Sequence, residues 1–346
     1  MRPDPGVKRP GYSALNWFRV VFPLSKNDPR NHTKWARKNL SFRVVRGSSY
    51  LARGSQNRAP PGIDTAGTKA LTCNPVDSTG KNSKQIAVAI IPARYSSTRL
   101  PGKPLLEIAG KPLILWVAER ALAARSVSRA IVATDDVRIL EAVQAAGLEA
   151  IMTRGDHASG TDRIAEVASD LDAEIIVNVQ GDEPLIDPET IDRAVSQLER
   201  NAQLLMATTS EPIAEAAEVL NPSVVKVIVD DQGYATSFSR NPIPWPNQAV
   251  RRHGSIEAAL RNEPALLFSF RKHTGLYVYR CEFLLEFARW PQSESEASES
   301  LEQLRAIDRG VKIKVVEAVS PSIGVDTIED LERVRAIVEH ENQIAV

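Results

Sequence analysis

The chain has 346 residues, 43% hydrophobic and 25% charged, a composition that suits one large α/β domain or two small ones with a sizeable core. It has no run of 18 apolar residues, which excludes a membrane-spanning helix, and only two cysteines, Cys73 and Cys281, which exclude a disulfide framework and a cysteine-built metal site and suggest a reducing compartment. The formal charge of zero averages two unlike parts: residues 1–84 carry 16 Lys and Arg against four Asp and no Glu, net +12, and residues 85–346 are net −12.

The first part, 1–84, shows no sustained period of 2 or 3.6, and Ala59-Pro60-Pro61-Gly62 would interrupt any element. It is expected to be a basic, disordered leader or upstream sequence from a wrongly chosen start. An organellar transit peptide fits less well, because no Arg-rich amphipathic helix opens the chain. From Gln85 the character changes. Ile86-Ala87-Val88-Ala89-Ile90-Ile91, closed by Pro92, reads as a strand buried on both faces of a parallel sheet. Pro112 opens a helix with Leu113, Trp116 and Val117 at helical spacing. Residues 130–134 form a strand, 137–146 a helix closed by Gly147, and 150–152 a short strand. A helix near 162–168, a strand at 175–179 and a helix at 188–199 follow. This alternation predicts an α/β fold, a doubly wound, mainly parallel, Rossmann-like sheet with helices on both faces.

The second half is more mixed and predicts a β extension of that sheet. Residues 204–208 and 224–229 read as strands, and Asp231-Gln232-Gly233 as a hairpin turn into 234–238. Residues 246–265 read as a long polar surface loop. A strand at 274–279, helices at 281–287 and 298–307, a strand at 311–316 and an amphipathic helix at 327–339 complete a single folded domain, 85–346.

Three cations, Arg94, Arg99 and Lys103, fall within the loop after the first strand, with Ser97 and Gly102 among them. In open α/β sheets ligands bind beyond the carboxyl ends of strands. Arg forks and a compact Lys charge suit phosphate oxygens, and Pro and Gly stiffen the loop, so phosphate binding is preferred to a merely solvated basic loop. The spacing matches neither the Gly-Lys-Ser/Thr loop nor the three-glycine dinucleotide fingerprint. At the end of a later strand, Val179-Gln180-Gly181-Asp182 brings an acid to the same edge. On the residues alone, Asp182 reads equally as a metal ligand or a helix cap; Asp326, which follows Gly324-Val325 just before the last helix, is expected to share its metal site, with N-capping of that helix as the rival account.

The string IPARYSSTRLPGKPL closely resembles the signature of the 3-deoxy-manno-octulosonate (Kdo) cytidylyltransferases, or CMP-Kdo synthetases. Four further blocks are similar to that family in the same order: MTRGDHASGTDR from Met152, VNVQGDEP from Val177, FSRNPIPW from Phe238 and LEQLR from Leu301, with GVDT from Gly324 completing the set. The resemblance covers about residues 85–340. It implies a nucleotide-diphospho-sugar transferase fold, CTP and Kdo as substrates, Mg²⁺ as cofactor, and a homodimer in the cytoplasm; a nucleic-acid partner is not expected, because aromatics are sparse in the basic leader and no recognition module matches. It favours Asp182 and Asp326 as metal ligands and assigns catalysis to them with Arg99 and Lys103. Nucleotide binding falls to Arg94, Ser97, Arg99, Lys103, Arg154, Ser159, Gly160 and Gln180, and sugar-acid binding to Arg240, His273, Tyr277, Glu302 and Gln303. His157 is expected to be structural or base-contacting, since the reaction needs no imidazole. A sister enzyme for sialate or 8-amino-Kdo, or a non-catalytic nucleotide-binding protein, would share much of this pattern.

Overall fold

A strand whose side chains are all apolar is stable only between two layers, and that requirement organises this molecule. The computed structural model describes residues 87–96 and 99–344; the expected leader 1–84 and the loop residue Ser97 lie outside the described residues. The first half of the described chain runs β1 (Ala87–Ala93), β2 (Glu107–Ile108), β3 (Lys111–Pro112), α1 (Leu113–Leu122), β4 (Val127–Thr134), α2 (Val137–Ala145), β5 (Glu149–Met152), α3 (Gly160–Ala168), β6 (Ile175–Asn178) and α4 (Pro188–Arg200). The second half runs β7 (Met206–Pro212), α5 (Ala216–Leu220), β8 (Lys226–Val229), β9 (Ala235–Ser239), α6 (Asn247–His253), α7 (Ile256–Asn262), β10 (Arg271–Arg280), α8 (Cys281–Phe287), α9 (Glu294–Glu299), α10 (Gln303–Asp308), β11 (Ile313–Glu317) and α11 (Ile328–Ile344).

The main sheet has the order β11-β7-β10-β6-β1-β4-β5, with β8 joining β10 and β9 joining β8. Strands β6, β1, β4 and β5 are mutually parallel, and β11 is parallel to β7. Strand β10 runs against both β6 and β7. Side chains alternate across β1. Ala87, Ala89 and Ile91 join a core with α1, α2, α4 and α11, while Val88 and Ile90 join a second core with α3, α8 and α10. This is the doubly wound, mainly parallel sheet with a mixed extension that the pattern predicts.

The β2–β3 pair and α5 fall where the sequence reading gave no element, and two further stretches differ from it. Residues 246–265 are not a loop but hold α6 and α7. Gly254, at φ 87, ends the first of these helices. The Ser255 hydroxyl caps the second by accepting from Ala258 N at 3.2 Å. At seven residues each, they are too short to show a period, yet Ala249, Ile256, Ala259 and Leu260 are buried. The helix expected at 298–307 is two helices broken at Ser300, which adopts φ 54. The break folds Arg305 back onto Glu296, with bonds of 2.7 and 2.8 Å between two buried side chains.

Candidate active site

The carboxyl end of β1 opens into the cationic loop, which folds back on itself. Gly102 N donates to Tyr95 O at 3.1 Å. Gly102 sits at φ 70, where a Cβ would also press on the Tyr95 ring at 3.1–3.3 Å, so this turn needs glycine twice over. The Arg138 guanidinium stacks 3.3 Å from the Tyr95 ring and is itself held by Asp136 at 2.7 Å. The anchored loop delivers Arg94, Arg99 and Lys103 to the wall of a cavity of about 450 Å³.

The N-terminus of α3 forms another side of this cavity through Ser159 and Gly160. Ser159 accepts from Asp162 N at 3.1 Å and Asp162 accepts from Ser159 N at 3.1 Å, a capping box that leaves the positive end of the helix toward the crevice. Gln180, Gly181 and Asp182 close the cavity from β6. A Cβ on Gly181 would stand 2.6 Å from Pro92 O, so only glycine lets this turn pass so near the end of β1.

Asp182 and Asp326 are joined by the backbone: Val325 N donates to Asp182 O at 2.9 Å. Their carboxylates then converge on one ammonium, with Lys103 Nζ 2.7 Å from Asp182 and 3.2 Å from Asp326. Arg99 lies 3.1 Å from the other oxygen of Asp326. The capping alternative for Asp326 does not hold. Helix α11 is capped by Thr327, whose hydroxyl accepts from Asp330 N at 3.2 Å, and Asp330 in return accepts from Thr327 N at 2.9 Å. The Asp326 side chain is thereby left to the crevice.

No group of three or more His, Cys, Asp or Glu gathers for a metal among the described residues. Two adjacent carboxylates still fit Mg²⁺, which keeps several waters and is held by one or two carboxylates together with substrate phosphates.

The residues expected for the sugar acid lie on β10, α10 and the end of β9. His273 Nε2 is 2.8 Å from Thr208 Oγ1, its ring packs 5.3 Å from Phe238 and 5.1 Å from Tyr277, and burial holds its pKa down to about 4. Glu302 accepts from the Thr161 hydroxyl at 2.5 Å. Gln303 is 4% exposed, and its amide makes no hydrogen bond to another described residue. Glu302 lines a second cavity of about 460 Å³ with Trp290, Ser300 and Arg305, and the two cavities share Ser159.

Arg240 is placed differently. Its guanidinium donates to the carbonyls of Glu299, Pro222 and Ser300 at 2.8, 3.1 and 3.4 Å, which leaves two of its five N–H groups for a ligand. Arg154 lines neither of these cavities. It lies on the outer side of α3, beside Glu166 and His157. His157 bonds to Glu166 with its side chain only 4% exposed, in keeping with a structural role.

Two residues not singled out from the sequence also belong here. Arg163 lines the first cavity from α3 while its guanidinium is held by Asp135 at 2.7 Å. An arginine in the buried register of α3, beside Ile164 and Val167, was the available signal. Beside Asp182, the Glu183 carboxyl is pushed up to about 8 by burial and by the charges of Asp182 and Glu211. The sequence shows the neighbouring Asp182 but not the shift, because its largest cause is burial, which only the fold supplies.

The profile of the family described as "Cytidylyltransferase" matches residues 88–313. The 3-deoxy-manno-octulosonate cytidylyltransferase of Trichlorobacter lovleyi is 51% identical over 248 residues, covering 72% of this chain and 96% of the relative. That of Geotalea daltonii is 52% identical over 246 residues, covering 71% of this chain and 95% of the relative. Among solved structures, a CMP:2-keto-3-deoxy-manno-octonic acid synthetase complexed with CTP is 45% identical with a TM-score of 0.66, covering 74% of this chain and 99% of its own. Profile, identity over nearly the whole length of the relatives, and shared fold together show that this chain belongs to the cytidylyltransferase family, among the 3-deoxy-manno-octulosonate cytidylyltransferases.

Proposed function

We propose that this chain transfers CMP from CTP to the anomeric hydroxyl of Kdo, giving CMP-Kdo for lipopolysaccharide and releasing pyrophosphate. The observation that carries this reading is the meeting of Arg99, Lys103, Asp182 and Asp326 in one cavity beside the N-terminus of α3. Chemistry of this kind depends on positioning and charge neutralisation more than on a covalent nucleophile. The sugar hydroxyl attacks the α-phosphorus, the bond to the β-phosphate oxygen breaks in line, and the proton leaves with the solvent.

Arg94, Arg99 and Lys103 hold the triphosphate, and Arg99 and Lys103 neutralise the departing pyrophosphate. Ser159 and Gly160, at the head of α3, bind the nucleoside, and the Gln180 amide oxygen stays available to it because the amide nitrogen is already bonded to Asn178 and Gly275 at 3.1 and 3.2 Å. Tyr277, Glu302 and the unpartnered amide of Gln303 receive the sugar acid, with His273 behind them as a neutral ring and the spare N–H groups of Arg240 reaching its carboxylate. Asp182 and Asp326 would hold Mg²⁺, which when bound lowers the charge on the phosphates and favours ionisation of the sugar hydroxyl.

The catalytic unit is 85–346, which contains the residues 88–313 that the family profile matches, and its working form is the cytoplasmic homodimer that the family resemblance implies. Light scattering of the purified protein tests the dimer. Pyrophosphate release, assayed with a panel of CTP, UTP and ATP against Kdo, 8-amino-Kdo and sialate in the presence of Mg²⁺, tests the reaction. A large preference for CTP with Kdo is expected. A preference for another sugar acid, or nucleotide binding without turnover, would overturn the reading.

A further inference from the structure

One fully buried cation takes no part in the reaction as described. Lys226, the first residue of β8, is 0% exposed. An ammonium group has three N–H donors and no acceptor. Here all three are spent on backbone carbonyls: Arg240 O at 2.6 Å, Val224 O at 2.7 Å and Asn221 O at 3.0 Å. Burial brings the Lys226 pKa down to about 8, so near pH 7 the charged form with its full set of donors still prevails. The charged groups that face it are Glu299 from α9, Arg240 from the end of β9, and Lys272, opposite in register on β10 and itself paired with Glu211 and Glu218.

The three carbonyls belong to two pieces of chain that meet at one side chain. Asn221 and Val224 lie in the turn that leads from α5 into β8, and Arg240 follows the last residue of β9. The same turn accepts from the Arg240 guanidinium through Pro222 O at 3.1 Å. Arg240 is also held by α9. The Glu299 carboxylate accepts from Arg240 N at 3.0 Å and from the Ser239 hydroxyl at 2.7 Å, while the Glu299 carbonyl accepts from Arg240 Nε at 2.8 Å. Both polar groups of the Arg240 backbone thus end on charged side chains, its N–H on a carboxylate and its C=O on an ammonium. Such bonds are roughly twice as strong as neutral ones, and Arg240 cannot shift without leaving the buried Lys226 charge short of an acceptor.

We propose that Lys226 is a positioning residue for the sugar-acid carboxylate: it braces Arg240 against the turn at 221–224, so that the N–H groups left on the guanidinium keep one direction. This rests on the reading of Arg240 as a ligand of the sugar acid. The test sets Lys226→Met, which keeps the stem and removes the three donors, beside Arg240→Ala and the double variant, with steady-state kinetics for Kdo and CTP and a thermal melt on each protein. Three carbonyls lose their donor in Lys226→Met, so a lower melting temperature is expected whatever the residue does for the reaction, and the kinetics decide. KM for Kdo is expected to rise about 10-fold or more, as for a misdirected contact, with KM for CTP changed by less than about 2-fold. The double variant should lose no more than Arg240→Ala alone, because Lys226 acts through that side chain. An unchanged KM for Kdo in Lys226→Met, equal losses for CTP and Kdo, or losses that multiply in the double variant would overturn the proposal. If Lys226→Met fails to fold, pH decides. A neutral amine has only two N–H groups for three carbonyls, so KM for Kdo should rise between about pH 7 and 9 in the unmodified protein and not in Arg240→Ala. A flat profile in the unmodified protein, or the same rise in both, would overturn the bracing role. Failure of the functional reading would show separately, as no pyrophosphate release by the unmodified protein or as a normal KM for Kdo in Arg240→Ala, and would take the proposal with it.

Discussion

Replacing Asp326 by Asn separates the chemistry of the crevice from the stability of the helix beside it. The change keeps the shape and removes one negative charge. Its effect on folding should be small, since α11 is capped by Thr327 and Asp330 and the ion pair to Arg99 joins side chains that are 60% and 42% exposed. Pairs of that kind contribute about 0–1 kcal/mol. In a domain of this size each kcal/mol moves Tm by roughly 2–4 °C, so a fall of more than about 4 °C is not expected. The effect on turnover should be large. Asp326 is one of the two carboxylates that meet at Lys103, and a hard cation depends on both for charge. Metal stabilisation of a phosphoryl transition state is worth several kcal/mol; losing about 3 of these lowers kcat about 100-fold. The assay is pyrophosphate release across a Mg²⁺ titration, run beside a melting curve. Thr327→Ala is the control, expected to cost about 0.5–2 kcal/mol of stability while leaving kcat alone. Full activity of Asp326→Asn at limiting Mg²⁺, or a marked loss of stability with normal turnover, would refute the assignment.

Other consequences are equally open to measurement. Arg99→Ala should lower kcat/KM for CTP by about 10- to 150-fold, the cost of a charge-assisted phosphate contact, with an unchanged melting curve; unaltered kinetics would remove the triphosphate from this loop. Because burial holds the His273 pKa near 4, below the unfolded value, the unfolded chain takes up a proton that the folded one refuses, and stability falls as pH drops from 6.5 toward 4. Urea titrations of the unmodified protein and His273→Gln should differ in this slope by at most about 3 kcal/mol over that window, and identical slopes would show the ring to be solvated. Deleting residues 1–80 should leave turnover intact, since the curated relatives are matched over 95–97% of their own length by 71–72% of this chain; a truncated protein without activity would place a functional element in that segment.

The parts of this molecule that could be read from its sequence are those where one short-range signal dominates. The β1 run is apolar throughout and could only be a doubly covered strand, and the punctuation by Pro112 and Gly147 marks helix limits that the structure keeps within a few residues. The three cations after β1 and the Gly181-Asp182 turn declare themselves because ligand sites follow strand ends. Contacts made at long range were illegible. That Asp326 is freed by a Thr327–Asp330 cap, that Arg240 spends its donors on the turn around Glu299, and that Glu183 meets Glu211 all depend on elements brought together only by folding. The helices α6 and α7 were missed for a different reason: their caps, Gly254 and Ser255, were in plain view, but seven-residue helices hold too few apolar positions to reveal a period.

The reversal of β10 has a consequence for how such an enzyme can change. The residues proposed for the nucleotide arrive from strand ends, after β1 and β6, where a shift in the loop would disturb the parallel core beneath it. Strand β10 enters the same edge with its beginning, so that Tyr277 lies opposite Asn178 and the residues before it reach furthest out. The stretch feeding that beginning, with α6 and α7, is an excursion between β9 and β10, each antiparallel to β8, and its Ile256, Leu260 and Phe270 share a small separate core with Ile213 and Val219. Insertions, deletions and sequence drift there would leave the register of β1, β4 and β6 unaltered. On the proposed reading, the sugar-acid residues of β10 and α10 stand on other elements than the CTP residues that follow β1 and β6, so one set could vary while the parallel core that carries the other keeps its register.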